Sequence, residues 1–232
     1  MSLRVLVAGA GGGIGSACER LLRNAGHEVV GVDRPAWDVT RPGGAEAAVA
    51  LGVDTLGGLD GVVHAVGMSG RPLGDGPVTA ASDEAWSEVL RVNLESLFRL
   101  LRAGLPVIRD AGGGSFVVIG STLGESSDPD FLTAAYAASK AGILGLVRTA
   151  ALEGAPWNVR VNAVAAGLVD TPMSARAAAD ERIARRLGEL QPLGGRMVSP
   201  DAVARAVAWL LSPASSATTG TALPVDGGWS LR

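Results

Sequence analysis

Six short apolar runs spaced along the chain restrict its fold more than any other feature. They are LRVLVA (3–8), EVVGVD (28–33), LDGVVHAV (59–66), SFVVIG (115–120), NVRVNAV (158–164) and TALPV (221–225). Most are β-branched and nearly free of polar residues, the pattern of strands covered on both faces. Between them, residues 15–25, 83–103, 131–153 and 200–211 carry apolar side chains at helical spacing. This alternation predicts an α/β fold: a Rossmann-like, doubly wound parallel sheet of six to seven strands with helices on both faces. Asp83 and Asp130 stand where helix N-caps are expected, and Ser199-Pro200-Asp201 is a helix-start signal. One connection is too short. Only Arg34 and Pro35 separate Asp33 from AWDV (36–39), whereas a parallel crossover needs about a dozen residues. A strand at 36–39 should therefore be rudimentary or absent, leaving the sheet thin at that edge.

With 232 residues, 47% of them apolar, the chain suits one domain spanning 1–232. A net charge of −3 without a block of like charges argues against nucleic acid or an anionic membrane as partner. The single Cys18 excludes an internal disulfide and fits a reducing compartment. The first residues do not read as a signal peptide, and no run approaches the roughly 18 apolar residues of a membrane span. A soluble, cytoplasmic protein is expected. No metal site is expected either: His64 has only His27 as a possible partner and reads as a strand-end residue.

The first strand runs into VAGAGGGIGSACERLL, glycines opening a helix. Such a loop lets the backbone approach a pyrophosphate, whose charge the helix N-terminus stabilises. Gly9, Gly13 and Gly15 match G-x-x-x-G-x-G; Gly9, Gly12 and Gly15 match G-x-x-G-x-x-G. Strict G-x-G-x-x-G fails, because Ile14 and Ser16 fall where its last glycine is needed. Asp33, eighteen residues beyond Gly15, ends the second strand. A carboxylate there accepts ribose hydroxyls and repels a 2′-phosphate, so NAD is favoured over NADP. Arg34 beside it could soften that repulsion.

The chain has one tyrosine and, against nineteen arginines, one lysine, and these two lie four residues apart in YAASK. On a helix, Tyr136 and Lys140 share a face. A phenol of ordinary pKa near 10 is a poor base, and a neighbouring ammonium together with oxidised nicotinamide would favour its phenolate.

With these pieces assembled, the chain resembles the conventional short-chain dehydrogenases/reductases over essentially its whole length. The resemblance rests on AGAGGGIG, RVNLES, VIGSTLG, YAASK, AGLVDTPM, PLGGR and TTGTALPVDGG. It implies Tyr136 as general acid/base, Ser121 as a hydrogen-bond donor to the reacting oxygen, and Lys140 as a partner of Tyr136 and the nicotinamide ribose. It implies that Asn93 sits mid-helix and anchors a water relaying protons to Lys140. Gly9, Gly13, Ile14 and Gly15 would form the cofactor loop. Asp38 and Val39 would meet the adenine, Ala65, Val66 and Gly67 the adenosine ribose, and Val169 and Thr171 the carboxamide. Ala8, His64, Ala65 and Ala166 depart from the residues usual at their positions, in scaffold or cofactor roles.

The activity implied is hydride transfer between NAD and a small-molecule secondary alcohol or ketone. The alternatives are an NADPH-dependent 3-oxoacyl thioester reductase and a non-catalytic dinucleotide sensor. A homo-oligomer, tetramer or dimer, is expected. Substrate choice should lie with Met68, Leu123, Glu125, Phe131 and a mobile helical lid at 173–190. The lid's Arg176, Arg182, Arg185 and Arg186 either greet an anionic group or form a solvated face balanced by Asp180, Glu181 and Glu189.

Overall fold

The computed structural model describes residues 2–232. Its order is β1 (Arg4–Ala8), α1 (Gly13–Asn24), β2 (Glu28–Val32), α2 (Gly44–Leu56), β3 (Gly61–His64), α3 (Asp83–Leu90), α4 (Ser96–Asp110), β4 (Gly114–Ile119), α5 (Ala134–Gly154), β5 (Val159–Ala166), α6 (Ala175–Ala179), α7 (Glu181–Leu190), α8 (Pro200–Leu211) and β6 (Ala222–Val225). All strands pair in parallel, in the order β2-β1-β3-β4-β5-β6. The fold is the doubly wound sheet expected.

The continuous apolar runs follow from two cores, one on each face. Leu6, Ala8, Val62, Phe116, Val118, Val161 and Ala163 point to the core shared with α2, α4 and α5. Their neighbours Val5, Val7, Val63, Val117, Ile119 and Val164 point to the core shared with α1 and α8. Alternate strand residues face opposite ways, so a sheet covered twice must be apolar at every position. In α4, Leu97, Leu100, Leu101, Gly104, Leu105 and Ile108 form the buried stripe, spaced as one helical face requires.

Residues 36–39 form no strand, and the sheet has six among the described residues. The crossover from β2 to β3 comes later, through α2, which sequence periodicity does not reveal. Its segment GAEAAVALGVDTL is nearly all small or apolar, with only Glu46 and Asp54 charged on its outer face. Two expected caps are displaced. Asp83 is the first residue of α3, and the cap is Ser82, whose Oγ accepts from the Ala85 amide at 3.0 Å. Asp130 lies in a 3-10 turn at Pro129–Phe131, and α5 begins only at Ala134. Ser199 does cap α8. The helix expected over 83–103 is interrupted by a π-helical turn, Arg91–Glu95. No helix among the described residues is long and apolar enough to cross a membrane.

Candidate active site

The loop after β1 and the one after β3 meet above the sheet, where strand order reverses. Gly9 has a φ of +87°, and a Cβ there would lie 2.7 Å from the Ala65 carbonyl. A Cβ on Gly15 would lie 2.0 Å from the Gly9 carbonyl oxygen. Neither position admits a side chain. Gly12 precedes α1, whose N-terminus has no side-chain cap and no acidic residue in its first turn. The free amides around Gly13, Ile14 and Gly15 thus present a positive end to an anion. Gly13 faces the Thr171 methyl, linking this loop to the segment after β5.

Asp33 closes the cleft beyond β2. Its Oδ2 accepts from the Gly11 amide at 2.7 Å and its Oδ1 from the Arg34 amide at 2.7 Å. Both oxygens keep lone pairs for further donors. The cleft is about 270 Å³, and its wall includes Gly9, Asp33, Asp38, Val39, Ala65, Val66 and Gly67. Trp37 and Val92 line it too, and no spacing signal in the sequence distinguishes them. The Asp38 carboxylate accepts from the Thr40 amide (3.0 Å) and hydroxyl (2.6 Å). Burial opposes its charge, but these bonds and nearby Arg34 and Arg41 hold it below the ordinary carboxylate range. The glycine cradle and the Asp33 carboxylate, with acceptor capacity to spare, fit a dinucleotide.

At the far end of the cleft, four segments converge. Ser121 follows β4, and its Oγ accepts from the Leu123 amide at 3.2 Å. Tyr136 sits in the first turn of α5, whose amides at Ala135 and Tyr136 are capped by buried Asp75, both at 3.0 Å. Asp75 is sixty residues away and invisible to local capping rules. Lys140 is buried, with Nζ donating to the Ile119 carbonyl at 3.0 Å and lying 5.5 Å from the Tyr136 ring centroid. A Cβ on Gly67 would be 3.5 Å from both the Lys140 Nζ and the Asn93 Oδ1. Ser121, Tyr136, Lys140, Asn93 and Gly67 therefore come together.

Asn93 lies within the π turn. Its Oδ1 accepts from the Met68 amide (2.8 Å), and its Nδ2 donates to the Met68 carbonyl (3.1 Å) and the Ser139 Oγ (3.0 Å). The side chain thus clamps the loop after β3 to α5. The turn itself is tied from β3: Ser96 Oγ donates to the Val92 carbonyl at 2.5 Å and lies 2.9 Å from His64 Nε2. Since the single Ser96 hydrogen is committed, His64 donates from Nε2. Burial, with the Lys140 charge adding, pushes His64 down to about 3. It is a neutral, fully buried strand-end residue.

Burial raises the Tyr136 pKa, offset only in part by hydrogen bonding with Ser121, and lowers Lys140 to about 8. A desolvated site disfavours both charged forms. Without a bound cofactor the Tyr136 phenol is thus held toward its neutral form. The further charge would have to come from oxidised nicotinamide.

Val169 is buried and pairs with Val198; Ser174 Oγ donates to its carbonyl at 2.6 Å and accepts from the Thr171 amide at 3.1 Å. The expected lid is two helices, broken where Asp180 caps α7, and it is fastened down. Arg186 reaches Asp128 (2.8 Å), Asp130 and Glu189 (2.9 Å), and Arg182 reaches Asp130 at 2.5 Å. Arg232 adds 3.3 Å to Asp128 and 3.2 Å to Glu189. The Asp128 and Asp130 side chains are 2% and 6% exposed. Beneath them Phe131 meets Trp229 edge-on, centroids 5.0 Å apart, packed with Leu123, Leu168, Ile183 and Leu190.

Residues 35–230 match the family model described as enoyl-(acyl carrier protein) reductase. The 3-oxoacyl-(acyl-carrier-protein) reductase FabG of Vibrio cholerae is 33% identical, over 96% of this chain and 95% of its own. The chain belongs to the short-chain dehydrogenase/reductase family. An uncharacterized NAD-dependent oxidoreductase of Mycobacterium tuberculosis is 38% identical over 78% of this chain and 66% of its own. The ligand-free aldohexose dehydrogenase of Thermoplasma acidophilum superposes with a TM-score of 0.87 at 30% identity, covering 100% of this chain and 95% of that one. As a short-chain dehydrogenase/reductase the chain has a dinucleotide-binding fold and belongs among oxidoreductases.

Proposed function

We propose that residues 1–232 act as one catalytic domain, an NAD-dependent oxidoreductase interconverting a secondary alcohol and its ketone. The observation that carries this reading is the convergence of Ser121, Tyr136, Lys140 and Asn93 at one end of a cleft whose other end holds Asp33. Bound nicotinamide would supply the hydride chemistry. Tyr136 takes the alcohol proton from the substrate oxygen, or returns it to a ketone. Ser121 donates a hydrogen bond to the same oxygen and stabilises its developing charge. Lys140 carries a charge that favours phenolate and has donors for a ribose hydroxyl. Asn93 holds the loop after β3 against α5, keeping Gly67 beside Lys140. Asp33 accepts the adenosine ribose hydroxyls, with Asp38, Val39, Ala65 and Val66 along the adenine side and Val169 and Thr171 near the carboxamide.

A second reading, a 3-oxoacyl thioester reductase using NADPH, draws on the FabG relative; Asp33 speaks against its cofactor. A panel of alcohols and ketones assayed with both cofactors at the reduced-nicotinamide band tests the choice. Turnover with NAD(H) is expected. Strong NADPH preference would overturn the Asp33 argument, and no turnover with any compound would overturn the oxidoreductase reading.

The protein works as a homo-oligomer in this reading. An apolar groove between α3, α4 and α5 exposes Trp86 and Phe98 and is floored in part by Gly145, where open space lets a second helix approach closely. Phe98→Glu should give monomers by light scattering. A cytoplasmic setting fits the single thiol, Cys18, which burial pushes up to about 12 and keeps unreactive.

A further inference from the structure

Three of the four lid arginines are engaged. Arg182 and Arg186 are held by Asp128 and Asp130, and Arg185 lies 3.4 Å from Glu181 on its own helix. Arg176 reaches only Asp180, at 4.0 Å. Arg71, in the turn after β3, has no carboxylate within ion-pair distance among the described residues. Its Nη2 donates to the carbonyls of Asp130 (3.3 Å) and Leu132 (3.4 Å), on either side of Phe131. Its Nε and Nη1 take no side-chain or backbone partner among those residues. The Arg176 guanidinium carbon lies 5.9 Å from the Phe131 ring centroid. Two cations thus meet at Phe131, Arg71 at the carbonyls flanking it and Arg176 near its ring.

That ring packs in the same apolar cluster as Leu123, whose amide donates to the Ser121 Oγ. Arg71 follows Met68, which Asn93 clamps, and the carbonyls it binds immediately precede the helix of Tyr136. Arg176 lies five residues beyond Thr171, at the start of the lid. Partial burial holds Arg71 below its ordinary range, the Arg176 charge adds to this, and Asp75 opposes it. Arg176 has only Asp180, at 4.0 Å, and Arg71 only the more distant Asp75 to offset this repulsion, and a guanidinium with free donors matches a planar carboxylate.

We propose that Arg71 and Arg176 form an anion subsite over Phe131, so that the substrates are hydroxy acids or oxo acids whose carboxylate is held there. This rests on the oxidoreductase reading and narrows it to a substrate class. The carbon skeleton lies against Phe131, and the carboxylate bridges the two guanidinium groups, drawing the lid toward the loop after β3.

The test is steady-state kinetics with NAD on 2-, 3- and 4-hydroxy acids of graded length, their methyl esters, and neutral secondary alcohols. Wild type is compared with Arg176→Gln, which removes no hydrogen bond within the protein, and with Arg71→Lys, which keeps the charge but loses the fork. At least one acid should exceed its ester in kcat/KM by about tenfold or more, the scale of a charge-assisted hydrogen bond. Arg176→Gln should lower that acid's value about tenfold, chiefly through KM, and leave the ester's within about twofold. Esters used as well as acids, or variants that change acid and ester alike, would overturn the subsite. Turnover of neutral alcohols but of no acid overturns the subsite alone. Absence of turnover with every compound, while NADH still quenches tryptophan fluorescence on binding, overturns the oxidoreductase reading and the subsite with it.

Discussion

At the β1–β3 end of the cleft the groups that face a ligand are mostly backbone: the amides around Gly13 to Gly15, and carbonyls brought close by Gly9. At the lid end they are side chains, held by ion pairs between residues as far apart as Asp128 and Arg232. Backbone geometry is written locally, in a strand, a run of glycines and a helix start. Ion-pair geometry depends on which segments meet, and the same arginines could equally have faced solvent. The first end is pre-formed by covalent necessity; the second is assembled by the fold.

The proposed catalytic groups lie between these two regimes, and removing one should leave the backbone end intact. Tyr136→Phe is expected to reduce kcat about 10³-fold while NADH binding, read by fluorescence, changes little. Weakened NADH binding of similar size would mean that Tyr136 belongs to the cofactor end instead.

The assembled end should yield next. Arg186→Met leaves Asp128 and Asp130 buried with fewer partners, and should cost about 2–3 kcal/mol in urea unfolding. It should also raise KM more than it lowers kcat. An unchanged KM would show that the lid does not shape substrate binding.

His64 ties the end of β3 to the π turn through Ser96. Its folded pKa is depressed from 6.5 to about 3, so the unfolded chain binds the extra proton. The stability from neutral His64 is whole above pH 6.5 and is lost as pH falls toward 3. The slope is about 1.4 kcal/mol per pH unit, or about 2 kcal/mol by pH 5. Urea unfolding of the wild type and His64→Asn at pH 7 and pH 5 isolates it. Parallel losses in both proteins would show that another group carries the slope.

The smallest effect is expected where backbone already does most of the binding. Asp33→Ser should shift the NAD-to-NADP ratio of kcat/KM about tenfold toward NADP, leaving kcat with NAD near wild type. An unmoved ratio would sink the ribose assignment.

Periodicity and spacing carried the parallel sheet, both faces of its core, the glycine loop and the Tyr136–Lys140 face, because each depends on residues within a turn or a strand of one another. They missed α2, whose mostly small and apolar residues, with only Glu46 and Asp54 charged, offer little contrast between faces. They placed caps at Asp83 and Asp130, although the nearby hydroxyl of Ser82 and the distant carboxylate of Asp75 do that work. They left open whether the lid arginines face solvent or an anion, and the ion pairs answer for Arg182 and Arg186. What the sequence determined by itself is the set of short-range backbone constraints: where the chain must extend, coil, or pass without a Cβ. Tertiary structure alone decided which charges meet and which are desolvated, as with Arg186 on Asp128, His64 on Ser96, and Tyr136 driven toward its neutral form. Electrostatic energy depends on distance and on exclusion of water, and neither is set until distant segments have packed.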